Sequence, residues 1–406
     1  MTLADYKKML NAVFVANTRR GFADWRSCGT LCMDTVNLME MARSDFAANR
    51  RYKELFDLSG RAYIMWSQTD KDDSNGETQD FCDCITEIWD EIYNHGTESV
   101  SHDSMMVFFF QTLDGTVVDY MEDDIYRFLL SHFKDKEELE AKERFLALKM
   151  GIVKDEMKTN EIRKYSLNVL EDYYIRVLGD LKRPIEEIRK FVKKRNGYTL
   201  INLLAEIETE YGNFNEAIAI HKARIAERPD EYWSNEHRKA LMDIYKSLGD
   251  TEQYNAVLYD IMMANVGNME YFLEYKSLFA KEEWHKQWEL ILSKVQKYPY
   301  QACSWYEEEG RYDLIMAAAE PAETGIIEGY KELKKLYPER CLKVLINGTE
   351  VIVKNSKSRR DYKGAAALMR KMLKYEGGEM IAHELAHKYI AEYPRRTAMI
   401  DEFSIF

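Results

Sequence analysis

The stretch Glu210-Tyr-Gly-Asn-Phe-Asn-Glu-Ala-Ile-Ala-Ile-His-Lys-Ala-Arg-Ile-Ala-Glu-Arg-Pro229 constrains the fold more than any other part of this chain. Gly212-Asn213 supplies a turn, Phe214, Ala217, Ile218, Ile220 and Ile225 follow near helical period, and Pro229 stops the helix. The stretch reads as the second half of a helical hairpin. A single hairpin cannot bury its own apolar face, so the pattern demands packed neighbours and an extended surface.

The rest of the chain agrees. With 19 Gly and 6 Pro in 406 residues, the two turn-forming residue types stand at roughly half their average usage, which leaves long helices joined by short turns. Apolar residues three and four apart predict helices near 3–20, 24–47, 49–67, 80–95, 101–113, 117–131 and 134–149, as with Leu3, Tyr6, Leu10, Val13 and Phe14 in the first. From about 158 onwards Gly197, Gly212, Gly249 and Gly310 punctuate the pattern. Gly212 and Gly249 lie close to one tetratricopeptide-like repeat length apart. Further pairs follow at 232–248 with 251–265, 269–279 with 282–296, 301–309 with 312–319, 323–336 with 339–354, and 361–375 with 379–392. The expected fold is all-α, an irregular α-solenoid of stacked, tetratricopeptide-like antiparallel hairpins. Its acidic N-terminal helical region covers 1–150 and its repeat region covers 151–406.

Charge supports that boundary. Residues 1–150 hold 17 Lys and Arg against 28 Asp and Glu, so most of the net charge of −13 lies there. Such a region repels a phosphate backbone on average. No window approaches 18 uncharged apolar residues, and the first residues lack the basic and apolar segments of a secretory signal. A cytoplasmic protein with no membrane contact is expected. Six cysteines, at 28, 32, 82, 84, 303 and 341, are too sparse for a disulfide framework, and reduced thiols are the expectation.

Seven segments carry a family resemblance. Asp72-Asp-Ser-Asn-Gly76, Ala240-Leu-Met-Asp-Ile-Tyr-Lys-Ser-Leu-Gly-Asp250, Tyr271-Phe-Leu-Glu-Tyr-Lys276, Glu309-Gly-Arg-Tyr-Asp313, Tyr337-Pro-Glu-Arg340, Ser358-Arg-Arg-Asp-Tyr362 and Tyr393-Pro-Arg-Arg396 occur in this order. Their order and spacing resemble the helical region of bacterial SWIM zinc finger family proteins, from about residue 50 to the C-terminus. The family's zinc-binding Cys-x-Cys and later Cys-x-His are not matched, because Cys82-Asp-Cys84 has no Cys-x-His after it. The resemblance implies the helical scaffold alone and carries over no functional residue.

Several motifs bear on chemistry. His383-Glu384-Leu385-Ala386-His387 matches the zinc-protease spacing, in which two His one turn apart hold zinc and the Glu activates water. Few residues follow to supply a third ligand, and no strand pattern nearby offers a substrate-binding edge. A repeat helix is therefore expected instead, with no stoichiometric zinc and no cofactor. The acidic segment around Asp70–Asp80 fails as a calcium loop, since aligning Gly76 to the sixth position puts Lys71 first and Cys82 twelfth. It reads as a solvated connection. Cys28 and Cys32, one turn apart, read as buried thiols.

Two basic clusters remain. Lys182, Arg183, Arg189, Lys190, Lys193, Lys194 and Arg195 form one, and Arg359 and Arg360 lie in the other, which spans Lys354 to Lys363. Both could follow a phosphate backbone. The function expected is a non-enzymatic scaffold that binds a protein or peptide partner. Asn202, Glu206, Arg238, Asp243 and Lys246 are the candidate contacts, because they sit off the apolar stripes of the inner helices. Nucleic-acid association through the basic clusters and a metallopeptidase built on His383, Glu384 and His387 are the alternatives.

Overall fold

A computed structural model describes residues 1–156, 164–195, 197–229, 233–355 and 358–406. Among them lie twenty-three helices and two two-residue strands, so the fold is all-α. The chain divides into two compact units, Met1–Ile220 and His221–Phe406. The charge boundary at 150 falls inside one helix, α7, and the packing boundary inside another, α11.

The first unit runs α1 (Leu3–Asn17), β1 (Phe22–Ala23), α2 (Trp25–Ala48), α3 (Tyr52–Gln68), β2 (Asp70–Lys71), α4 (Glu77–His95), α5 (His102–Thr112), α6 (Asp119–Ser131), α7 (Lys136–Glu156), α8 (Lys164–Asp180), α9 (Ile185–Arg195), α10 (Tyr198–Glu210) and the start of α11 (Phe214–Glu227). Local chemistry fixes several of the starts. Thr2 and Asp5 form a reciprocal capping box on α1, and the Asp24 carboxylate accepts from the Arg26 and Ser27 amides at the head of α2. Helices then pack on their sequence neighbours and also on the next but one, as α1 does on α3, α2 on α4 and α8 on α10. The centre is aromatic. Trp66 stacks on Phe81 at 4.6 Å, and Trp89 meets Tyr63 and Phe109. Their polar tips are all satisfied, Trp66 Nε1 donating to Thr78 Oγ1, Trp89 Nε1 to Ser59 Oγ and Tyr63 Oη to the Met121 carbonyl.

The strands were not expected. Phe22 pairs with Asp70 and Ala23 with Lys71 in parallel register, a pairing too short to leave any alternation in the sequence. It ties the head of α2 to the loop that enters α4.

The second unit takes the end of α11 and continues with α12 (Ser234–Leu248), α13 (Thr251–Ala264), α14 (Met269–Lys276), α15 (Lys281–Val295), α16 (Cys303–Glu308), α17 (Tyr312–Ala319), α18 (Thr324–Gly329), α19 (Leu333–Leu336), α20 (Pro338–Asn355), α21 (Arg359–Met372), α22 (Gly378–Glu392) and α23 (Thr397–Phe403). Gly249 closes α12 in the left-handed region, and Asp250 caps α13 by accepting from the Gln253 amide, so a Gly-Asp pair folds the two helices against each other. Trp305 of α16 stacks on Phe272 of α14 at 4.8 Å, as packing between alternate helices. The segment 323–336, expected as one helix, is two: Gly329 ends α18 and the chain breaks at Tyr330 before α19. Of the expected elements, Tyr232 and residues 158–163 lie outside the described residues. No helix among the described residues is long and apolar enough to cross a membrane.

Gly267 gives this packing a direct test. Its φ is +97°, and a Cβ there would stand 2.4 Å from the Gln301 carbonyl oxygen, whereas Gly325, in α18, has open space around it. We expect Gly267→Ala to lower stability by roughly 2–3 kcal/mol through strain and clash, and Gly325→Ala to leave it unchanged or slightly raised. Urea unfolding of the two variants decides; equal midpoints would contradict the close approach.

Candidate binding groove

Arg238 is 6% exposed, although the sequence placed it off the apolar stripe of α12. It is held from both sides. Its Nη1 donates to Asn235 Oδ1 at 3.0 Å and its Nη2 to the Pro229 carbonyl at 2.6 Å. Asn235 passes the network on to Asn265, whose Nδ2 donates to the Ile261 carbonyl. A buried guanidinium held this way is fixed in direction.

Arg238 lines a groove of 610 Å³ within the second unit. Ile225 and Pro229 come from α11 and its end, Asp260, Met263 and Ala264 from α13, and Ser293, Lys294, Lys297 and Tyr298 from α15 and the turn after it. Burial raises the Asp260 carboxyl above its usual range, against the lowering effect of Arg238 and Lys294. Lys294 Nζ donates to Tyr259 Oη at 2.7 Å, and Lys297 lies 5.1 Å from the centre of the Tyr298 ring. Three cations thus face one carboxyl and an apolar floor. Such a surface suits an extended ligand that brings carboxylates and an apolar side chain.

A buried histidine pair stands beside this network. His221 Nδ1 and His237 Nδ1 are 3.0 Å apart, a hydrogen bond that requires one ring to carry its proton on Nδ1 and the other to leave that atom bare. Burial, and then His237, push the His221 imidazole down to about 4; burial and then Arg224 lower His237. Both rings are neutral near pH 7.

The other sequence candidates are dispersed. Asn202 is half-buried on α10, its Oδ1 out of reach of water and without a hydrogen-bond partner, and Glu206, exposed on the same helix, pairs with Arg176. Asp243 and Lys246 are exposed further along α12, outside the groove lining. In the first basic cluster the arginines are occupied: Arg183 pairs with Glu143, Arg189 with Glu208 and Glu186, and Arg195 with Glu171. Lys182 lies 4.6 Å from the Tyr211 ring centre, and Lys190, Lys193 and Lys194 project into solvent from α9. In the second, Arg359 binds Glu402 and Asp401, and Arg360 is almost fully exposed. Lys357 lies outside the described residues.

Helix α22 turns Ala382, Ala386 and Tyr389 to the core. His383 is half-buried with Phe406 edge-on to its ring at 6.5 Å, and His387 and Glu384 are exposed. No third candidate ligand joins the two His within reach among the described residues. The sequence reading missed Asp260, Lys294 and Lys297, which reach the groove only through the packing of α13 and α15, and the His221 and His237 pair, whose sixteen-residue separation has no motif.

No protein-family model matches this chain, and no curated protein matches it.

The histidine pair sets a pH signature. A folded pKa below the unfolded value means that His221 stabilises fully above pH 6.5, and that this contribution is lost as pH falls from 6.5 towards 4. Its full size is about 3 kcal/mol. We expect the loss of stability between pH 7 and pH 5 to be roughly 1–2 kcal/mol smaller in His221→Leu than in the unaltered protein. Denaturant titrations at the two pH values measure it, and parallel pH profiles would contradict it.

Proposed function

We propose that this chain is a non-enzymatic helical-repeat scaffold, and that the groove around Arg238, Asp260, Lys294 and Lys297 binds an acidic segment of a protein or peptide partner. The observation that carries this reading is the groove itself: a fixed, buried guanidinium and two lysines on the surface of an otherwise acidic chain of net charge −13. Contacts between alternate helices, as of α1 with α3, α2 with α4, α8 with α10 and α14 with α16, support a stacked, tetratricopeptide-like arrangement, in which concave surfaces are the usual place of partner contact. The SWIM-like order of segments belongs with the same scaffold reading, as does a cytoplasmic setting. Glu206, Asp243 and Lys246 are exposed and sit at the margin of this proposal, and Asn202 is half-buried.

A second reading rests on the row of solvent-exposed Lys190, Lys193 and Lys194 on α9, which could track a phosphate backbone. The neighbouring Arg183, Arg189 and Arg195 are already held by carboxylates. That leaves few cations for nucleic acid, and we favour the protein partner.

Photo-crosslinking in the source cells tests the choice. A photoreactive residue at Lys297 is expected to capture one protein through an Asp- or Glu-rich segment, and the synthetic segment is expected to bind at least tenfold more weakly to Lys294→Glu. Capture that is unchanged in Lys294→Glu would refute the groove. Retention on heparin at physiological salt, lost on Lys190→Glu with Lys193→Glu, would favour the nucleic-acid reading.

A further inference from the structure

The paired strands bring together three groups that lie far apart in sequence. The ladder continues past Lys71, with the Asp72 amide donating to the Ala23 carbonyl at 2.9 Å. The head of α2 is therefore fixed against the loop that enters α4. Cys28 is fully buried in the first turn of α2, and facing it are Asp73 and Glu77. The Cys28 Sγ and one carboxylate oxygen from each acid all lie within 4.8 Å of one another.

Glu77 is the informative member. It is only 9% exposed, and its Oε2 is out of contact with solvent and without a hydrogen-bond partner. Neither it nor Asp73 forms an ion pair among the described residues. The nearby Lys71 ammonium is turned to the Trp66 and Thr69 carbonyls at 2.8 and 3.1 Å. A buried carboxylate oxygen with no partner beside a second carboxylate leaves uncompensated negative charge, which proteins neutralise by a proton, a cation or a metal. The remaining contacts orient the acids. Asn75 Nδ2 donates to Glu77 Oε1 at 3.0 Å, and the Thr78 amide donates to Asp73 Oδ1 at 2.9 Å. Gly29 of α2 lies against the same carboxyl, its Cβ position 3.4 Å from Glu77 Oε1. Fixed outer contacts that leave one oxygen unused are the arrangement metal ligands need.

We propose that Cys28, Asp73 and Glu77 hold a divalent first-row cation, with zinc the best fit, and that water fills the fourth position. A soft thiolate beside two hard carboxylates suits zinc, a borderline ion that takes both sulfur and oxygen ligands, better than the all-oxygen cations calcium and magnesium. Around a tetrahedral zinc ion such donors stand roughly 3–4 Å apart, which the present spacing reaches by small side-chain rotations. On binding, the Cys28 thiol gives its proton to solvent as the sulfur–metal bond forms. Charge then balances: the divalent ion and the Lys71 ammonium offset one thiolate and two carboxylates. This departs from the expectation of a zinc-free protein, and it involves neither His383 nor His387.

Cobalt reads the site directly. The full chain, reduced and stripped with a chelator, is titrated with Co2+, and a thiolate-to-cobalt charge-transfer band is expected to saturate at one equivalent and to be displaced by Zn2+. Cys28→Ser abolishes the band, and Glu77→Gln, close to isosteric, weakens cobalt binding at least tenfold while leaving the helical circular dichroism unchanged. Cys303→Ser and His387→Ala leave it intact. No band in the unaltered protein, a band that survives Cys28→Ser, or one lost with His387→Ala overturns the proposal.

Discussion

Many of the described helices are too short to rely on themselves. Several of them are six to eight residues, among them α14, α16 and α17, and isolated helices of that length do not persist in water. They persist because their apolar faces are buried against neighbouring helices, as Phe272 of α14 is against Trp288 of α15 and Trp305 of α16. The aromatic contacts show where that burial concentrates, with Trp66 on Phe81 in the first unit and Trp305 on Phe272 in the second. Burying a side chain of that size contributes about 2–3 kcal/mol, so a few such contacts outweigh any local helical preference.

Against that requirement, a polar group inside the packing is an exception that must be satisfied on the spot. Most are. Arg238 is held by Asn235 and the Pro229 carbonyl, and Lys142 is turned to the Leu129 and His132 carbonyls. The His221 and His237 rings satisfy each other as long as one of them keeps a bare Nδ1 to accept the other's proton. Glu77 is a case where one carboxylate oxygen is left over, as Asn202 Oδ1 also is. The two places proposed to bind something are both places where the packing admits charge, one as an open groove and the other as a closed cluster.

The helical part of this was legible because a period near 3.6 leaves a mark in the sequence at every turn. Gly249-Asp250 could be read as a helix junction from residue type alone, and it is one. Glu323 to Leu336 could not be divided, since the glycines that weaken α18 also occur inside ordinary helices. Arg238 was singled out as a residue off the apolar stripe. It instead points inward, because Asn235 and a carbonyl beyond the helix end receive it, and no periodicity encodes those partners. The Cys28 and Glu77 contact was invisible for a different reason. Forty-nine residues separate them in numbering, and the strand pair that joins them is two residues long. The acidic loop was read as solvated, but Glu77 at its end is buried.

The claim on which the functional account rests is that the groove of the second unit, and not the basic face of α9 or the His pair of α22, is where a partner is held. Hydrogen–deuterium exchange of the full chain, with and without the acidic segment captured at Lys297, tests it most directly. Added protection is expected in α12, α13 and the end of α15, the helices that carry Arg238, Asp260 and Lys294. Protection that falls on α9 or α22 instead, with those three helices unchanged, would contradict the account.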